Sequence, residues 1–415
     1  MDFNDTPEEA AFRAEAVAWL EANAERRQPG DTDNPLNEAT TPEMVAEAKA
    51  WQKKKADAGW ACITWPKEYG GRGATPMQNV IWNEEQAKFR TPRDIYGIGI
   101  GMCGPTILAH GTPEQRKRWI PKLISGEEVW CQLFSEPSAG SDLAGLRSTA
   151  VRQGDDWIVN GQKIWTTGAQ FCDWGVLVVR TDPTVAKHAG LTYFVVDMHA
   201  PGVEIRPITQ INQGRGFNEV FFTDVRIPDD QRISEVGNGW AVSITTLMNE
   251  RQSIGAGGGL GALEDLIDYA AALEIDGRPA IEDGHVRERI ADFVVKARGL
   301  KNTSLRTLTA LSQGRMPGPE ASMGKLVGAV LQQEASSFAM ELAGAAGGLL
   351  DAGQLPEATL WAERYLSIPG LRIAGGTDEV LRNIIAERVL GLPPDARADK
   401  GIAFKDIPTG PPSKK

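Results

Sequence analysis

No run of about 18 apolar residues occurs anywhere in the chain, which excludes a membrane-spanning helix. Cysteine is scarce. The four present, Cys62, Cys103, Cys131 and Cys172, form no C-x-x-C pair and no disulfide framework, so a reduced, cytoplasmic setting with buried thiols is expected. The four histidines, His110, His188, His199 and His285, lie at no metal-ligand spacing to one another or to a cysteine, and no metal is expected. Basic charge is in deficit: 44 Lys and Arg stand against 55 Asp and Glu, a net charge of −11. That balance argues against a nucleic-acid footprint and a polybasic membrane anchor. The opening MDFNDTPEEA is acidic and reads as neither a signal peptide nor an Arg-rich transit peptide. No internal repeat is present.

At 415 residues the chain has room for two or three domains. The first part reads as helical, with Thr-Pro pairs at Thr6-Pro7, Thr41-Pro42, Thr75-Pro76 and Thr112-Pro113 opening helices. Threonine caps free N–H groups, and proline suits the first helical turn. Thr6 with Glu9 and Thr112 with Gln115 have capping-box spacing. The segment from Ala61 to Gly73 reads as a connecting loop, although its Gly-rich end also has the composition of a phosphate cradle. Short β-branched or aromatic runs follow at Trp157–Asn160, Trp174–Arg180, Leu191–Asp197, Val203–Pro207 and Glu219–Ile227, with a hairpin expected to turn at Asn160-Gly161. Apolar residues then recur at helical spacing over Trp240–Leu273, His285–Gln313, Glu320–Gly344 and Thr377–Leu390, a bundle whose outer faces would meet other subunits. The expected fold is thus α+β and multi-domain: an N-terminal helical domain (1–129), a middle β-barrel or sandwich domain (130–237) and a C-terminal four-helix bundle (238–395). A loose polar tail (396–415) completes it.

Four segments carry the chemistry. They are CQLFSEPSAGSD (131–142), KIWTTGAQ (163–170), FNEVFFTDVRIP (217–228) and LRIAGGTDEVLRNIIAERVLGLP (371–393). The first packs short hydroxyls, a glycine and an Asp into a loop that can close on a nucleotide diphosphate or a flavin edge, though such clusters are more often plain turns. In this order and with these gaps, the four resemble the acyl-CoA dehydrogenase flavoprotein family over roughly residues 5–395. The resemblance implies FAD as cofactor and an acyl-CoA substrate desaturated to a trans-2-enoyl-CoA. It also implies an electron-transfer flavoprotein as acceptor, and a homotetramer or α2β2 heterotetramer. Since CoA esters are polyanionic, local basic residues must receive them despite the net charge.

Carried over residue by residue, Ser135 matches the hydroxyl at the flavin pyrimidine and Phe134 a neighbour whose backbone meets the ring. Ser141 matches a residue at the FAD pyrophosphate that also meets substrate. Trp165 matches the aromatic on the isoalloxazine and Thr167 the hydroxyl near N5. Thr377 and Glu379 open the last helix beside FAD. The plain alternatives are β-domain core for Trp165, turn or strand surface for Ser141 and Thr167, and complementing of the helix dipole for Asp378 and Glu379, which is preferred for Asp378.

The α-proton needs a carboxylate base, and many relatives place a Glu two residues before this Thr. Here that position is Gly375. A subset, including isovaleryl- and long-chain-type enzymes, instead carries the Glu on the first C-terminal helix, just before an Arg. Glu250-Arg251 stands there. The resemblance therefore implies Glu250 as base, Arg251 near the substrate, and the Gly375 N–H polarising the thioester carbonyl. A carboxylate in an apolar pocket is the better base, whereas a solvated helix face is the bland reading of the pair. Two departures stand out. The Arg-x-x-Phe-Gly element that reaches a neighbour's FAD is missing, with Arg278 or Arg287 as candidate substitutes, and Glu341 occupies a usual Gln position. A non-catalytic partner subunit and a flavin oxidase or monooxygenase on the same fold therefore stay open, as does the acyl chain: long, branched, aromatic or sterol-derived.

Overall fold

The computed structural model describes residues 5–28, 40–256, 260–312, 318–350, 356–394, 396 and 399–408, excepting the side chains of 251–256, 260–262, 308, 311–312, 321 and 356–357. Each Thr-Pro pair starts a helix: α1 (Pro7–Asn23), α2 (Pro42–Asp57), α3 (Pro76–Gln86) and, after the short α4 (Gly104–His110), α5 (Pro113–Ser125). Thr6, Thr41, Thr75 and Thr112 all accept a first-turn N–H, and the capping box closes at Thr75/Gln78 as well as at the two expected places. Each cap contributes about 1 kcal/mol. Phe12, Leu20, Ile81 and Phe89 bury a core around Trp60 and Trp82, whose rings stack at 4.6 Å. A two-residue pair, β1 (Glu25–Arg26) and β2 (Phe89–Arg90), closes this unit, and one π turn, Gly99–Cys103, leads into α4.

The middle domain is an eight-stranded sheet in the order β10-β7-β6-β4-β5-β9-β8, with β3 added in parallel to β6. Its strands are β3 (Trp130–Leu133), β4 (Thr149–Gln153), β5 (Asp156–Thr167), β6 (Trp174–Arg180), β7 (Leu191–Asp197), β8 (Val203–Ile208), β9 (Phe217–Pro228) and β10 (Arg232–Ile233). Both faces of β6 and β7 are buried. Val176, Val178, Tyr193 and Val195 meet the helical side, while Leu177, Val179, Phe194 and Val196 meet Trp157, Val159, Val220 and Phe222 of β5 and β9. The expected hairpin at Asn160-Gly161 is corrected. β5 runs straight through it, and the turn lies at Gly154-Asp155, after which Asp156 pairs with Gln153. Gly161 marks instead a register shift against β9 and a close approach: a Cβ there would fall 2.1 Å from Ser148 Oγ.

A buried ion pair fixes the loop after β3. Lys163 Nζ reaches Glu136 Oε1 at 2.8 Å and Phe134 O at 3.1 Å, while Glu136 also accepts the Arg147 and Ser148 N–H groups at 2.6 and 3.0 Å. Burial opposes the Glu136 charge, but Lys163 and these N–H groups outweigh it and hold the carboxyl below its ordinary range.

The C-terminal part holds α6 (Gly239–Ala256), α7 (Leu260–Ala272), a small pair β11 (Glu274–Ile275) and β12 (Arg278–Pro279), α8 (Gly284–Ser312), α9 (Ser322–Ala343), α10 (Pro356–Ser367) and α11 (Asp378–Arg388). Leu266, Phe293, Leu331, Phe338 and Trp361 join α7, α8, α9 and α10 in one core. The long segment expected over Trp240–Leu273 is thus α6 and α7, and α10 is an addition to the expected helices. α6 is tied elsewhere: Thr246 bonds Thr106 and Tyr193, each at 2.9 Å, and Thr245 bonds His110 at 2.8 Å. These hydroxyls pin α6 between α4 and β7, and Glu250 stands one turn beyond Thr246.

The loose-tail expectation is corrected for residues 399–408. The Phe404 and Lys405 N–H groups bond Val185 O and Pro183 O at 2.8 and 2.9 Å, and Asp399 pairs with Lys187. The Phe404 ring lies 3.3 Å from the guanidinium carbon of buried Arg180, which donates to Ala144, Leu146 and Lys187 carbonyls. Burial pushes the Arg180 pKa down to about 10. The strap thereby closes over the loop that follows β6 and, through Arg147 and Arg180, the loop that precedes β4.

Phe404→Ala is expected to cost about 2 kcal/mol, from lost packing and a partly desolvated cation–π contact, read as a lower melting temperature. Lys163→Met should cost about 3–5 kcal/mol at neutral pH by leaving a buried carboxylate unpaired. Since the folded Glu136 titrates below its unfolded value, its stabilisation is present at neutral pH and disappears as the pH falls through the folded value. Denaturant melts should therefore show the wild-type advantage shrinking in acid.

Candidate active site

Three distant segments meet at one carboxylate. Glu250 lies in the second half of α6, and its Oε1 accepts the Gly375 N–H at 3.1 Å. Its Oε2 accepts Gln132 Nε2 of β3 at 3.3 Å. Gly375 and Gly376 both hold left-handed backbone, at φ 65° and 94°. That conformation strains any residue with a Cβ, so glycine suits both positions. Glu250 is half-buried and bonded to two elements outside its own helix, so the solvated-face reading fails. Arg251 follows it in α6, and its side chain lies outside the described residues.

The glycine turn rests on a buried ionic cluster that the sequence reading missed. Lys325 of α9, 5% exposed, donates to Gly376 O at 2.7 Å. Asp378 is 3% exposed; its Oδ2 takes two Arg372 nitrogens at 2.7 and 2.6 Å, and its Oδ1 stands 3.9 Å from Lys325 Nζ. Arg372 also donates to Gln333 Oε1 at 3.0 Å. Burial pushes the Lys325 ammonium below its ordinary value. Asp378, Glu379 and Glu250 pull it back up, and Arg372 adds to the depression. Asp378 is therefore more than a complement to the α11 dipole, which corrects the preferred sequence reading. Thr377 caps α11 through the Val380 N–H at 3.2 Å.

Two of the flavin-side candidates, Phe134 and Ser135, follow Gln132 closely in the chain. The Ile164 N–H donates to Ser135 O at 2.9 Å, joining the Phe134–Ser135 loop to the strand that carries Trp165 and Thr167. Phe134 is buried, and Thr167 is exposed opposite Phe217 of β9. Trp165 is 56% exposed, which rules out the core reading. It also sits at φ 61°, where β5 slips register between Lys163 and Thr166. The neighbouring Thr166 hydroxyl is buried with no hydrogen-bond partner among the described residues. A strained bulge that exposes an indole beside hydroxyls fits a planar, acceptor-rich ring such as a flavin. Ser141 and Glu379 are exposed, and no hydrogen bond or ion pair links their side chains to the Glu250 cluster among the described residues. Among those residues no helix is long and apolar enough to cross a membrane, and no His, Cys, Asp and Glu group could hold a metal ion.

Comparison with known proteins matches three successive segments of the chain. Residues 6–127 match the acyl-CoA dehydrogenase N-terminal domain, 131–225 its middle domain and 237–390 its C-terminal domain. Acyl-CoA dehydrogenase IpdE1 of Mycobacterium tuberculosis is 37% identical over 393 residues, covering 93% of this chain and 98% of that protein. The ChsE4-ChsE5 complex from Mycobacterium tuberculosis aligns with 95% of this chain and 100% of its own, at a TM-score of 0.76 and 29% identity. A steroid acyl-CoA dehydrogenase, Tcur3481-Tcur3483, aligns over 95% and 100%, at a TM-score of 0.78 and 26% identity. With a helical, a β and a second helical domain matched in succession, the chain belongs to the acyl-CoA dehydrogenase family.

Proposed function

We propose that this chain removes the α-proton of an acyl-CoA thioester with Glu250 and yields the trans-2-enoyl-CoA. The supporting observation is the Glu250 Oε1 contact with the Gly375 N–H at 3.1 Å. The α-C–H bond is a weak acid, so the site needs a base beside it and a donor on the thioester oxygen. Glu250 and Gly375 supply one each. Without substrate the carboxylate occupies the N–H; with substrate the thioester oxygen takes that N–H, and the carboxylate turns to the α-carbon. Gln132 holds the other carboxylate oxygen and limits that swing. Ser135, Thr167, Trp165 and Thr377 are the residues that would hold FAD, which when bound supplies the acceptor for the β-hydride and its electron pair. An electron-transfer flavoprotein then takes the electrons. Gly375 adds no side chain beside the acyl group, and the steroid relative favours a bulky, ring-bearing acyl chain as the first substrate class to try.

A second reading concerns assembly. Glu341 stands exposed at a usual Gln position, no Arg-x-x-Phe-Gly element follows α7, and a similar solved structure is a complex of two named chains. These observations favour an α2β2 assembly over a homotetramer, with a partner chain completing the FAD site.

Anaerobic mixing with a panel of acyl-CoAs, steroid side-chain thioesters included, should bleach the flavin, and Glu250→Gln should slow that bleaching about 10³-fold with an unchanged melting temperature. A Gln variant that reduces at the wild-type rate removes Glu250 from the role of base. For assembly, the chain expressed alone should carry little flavin by absorbance and gain it on co-expression with a partner dehydrogenase chain. Full flavin occupancy in a homotetramer overturns the mixed assembly.

A further inference from the structure

The Gly375–Gly376 turn has two glycines in succession, and nothing in their own chemistry fixes the direction of the peptides between them. Its upstream end is held by Ala374, whose N–H donates to Gly370 O at 2.9 Å. Its downstream end is held by the Thr377 cap on α11. Between these anchors, Lys325 Nζ donates to the turn's Gly376 O at 2.7 Å. Lys325 arrives from α9, a helix built into the core of the C-terminal bundle through Leu331, Ala335 and Phe338, so its reach is set by the rigid part of the domain. Asp378, held in turn by Arg372, stands 3.9 Å from the ammonium and favours its charge against the opposing effect of burial.

A buried ammonium is expensive to keep unless it does something a neutral group would not. Here two consequences follow from its position. Lys325 holds the Gly376–Thr377 peptide by its carbonyl, at the far side of the turn from the Ala374–Gly375 peptide, whose N–H faces Glu250. The positive charge also lies close enough to interact with Glu250, along with Asp378, Arg372 and Glu379.

We propose that Lys325 is a positioning residue of the active site: its hydrogen bond to Gly376 O fixes the two-glycine turn so that the Gly375 N–H points at the thioester oxygen, and its charge favours the ionised Glu250. The proposal rests on the reading of Glu250 as base, and it assigns Lys325 no contact with substrate.

The test is deuterium exchange at the α-carbon of an acyl-CoA in D2O, followed by proton NMR on the purified, flavin-loaded protein or complex. Exchange needs the base and the polarised carbonyl but no net oxidation. Lys325→Met should slow exchange and kcat about 100-fold, with KM moving far less. Lys325→Gln, one bond shorter and neutral, should lose at least about tenfold. Lys325→Arg keeps charge and donor and should stay within about fivefold of wild type. Removing the cation takes away a positive charge that interacts with Glu250, so in Lys325→Met and Lys325→Gln the acidic limb of the kcat profile should move to higher pH. A folded Met or Gln variant exchanging at the wild-type rate overturns the proposal, and so does an Arg variant as slow as Met. Glu250→Gln run in parallel separates the two ideas. If it exchanges at the wild-type rate, the base assignment has failed. If it is silent while Lys325→Met is normal, only the role of Lys325 has failed.

Discussion

The hydrogen bond from the Gly375 backbone to the Glu250 carboxylate is the contact on which the rest of the site depends. It closes a gap of 125 residues and can form only if α6 is held in the right place. Thr246 does much of that, with its hydroxyl shared between Thr106 of α4 and Tyr193 of β7 in a fully buried setting. Each such bond contributes about 1 kcal/mol net, yet stranding one hydroxyl costs more, so the three residues specify a position as well as stabilise it. One turn further along α6 stands Glu250. The site is therefore an outcome of how the helical and β domains are bolted together, and no single loop contains it.

Under the proposed role of Glu250, the same contact gives a reason for glycine at position 375. At φ 65° a side chain is strained, and a carboxylate grown from Gly375 would compete with the one arriving from α6. In the proposed chemistry, substrate binding exchanges one partner of the Gly375 N–H for another. No buried donor is left empty at either stage, so the exchange costs little. The turn must still not flip, because a flipped peptide would present a carbonyl to the developing negative charge. The cluster of Lys325, Asp378, Arg372 and Gln333 beneath the turn is the part of the fold placed to prevent that.

What the sequence made legible was local. Thr-Pro pairs act within one turn of themselves, so all four helix starts could be read directly. Asn160-Gly161 misled because a glycine needed for a hairpin and one needed for close approach look alike, and only Ser148, brought in by β4, distinguishes them. The strap was missed for the same kind of reason: Phe404 has meaning only against Arg180, which lies far away in the chain. Asp378 reads as a dipole complement until Lys325 and Arg372 are seen around it. The meeting of Glu250 with Gly375 was legible through the family resemblance, whereas Gln132 carries no local signal at all.

Trp165 gives the remaining step. A strand gains by burying an indole and by keeping ordinary extended backbone, and β5 does neither at this residue. Left-handed φ at a bulky residue costs of order 1–3 kcal/mol, and exposing the ring forfeits burial worth about as much again. The Lys163–Glu136 pair lies two residues before and holds the strand firmly enough to sustain the distortion. The edge-on contact of the ring with Phe217 at 6.0 Å offsets only part of this cost, and a group lying on the exposed face of the ring would offset more. A flat, polar-edged group stacked there would recover the lost burial, and the unpartnered Thr166 hydroxyl beside it marks a second cost that ordering of the same region could remove. On this argument the middle domain reaches its full stability only when loaded, and cofactor binding and assembly would raise the melting temperature together through mass action.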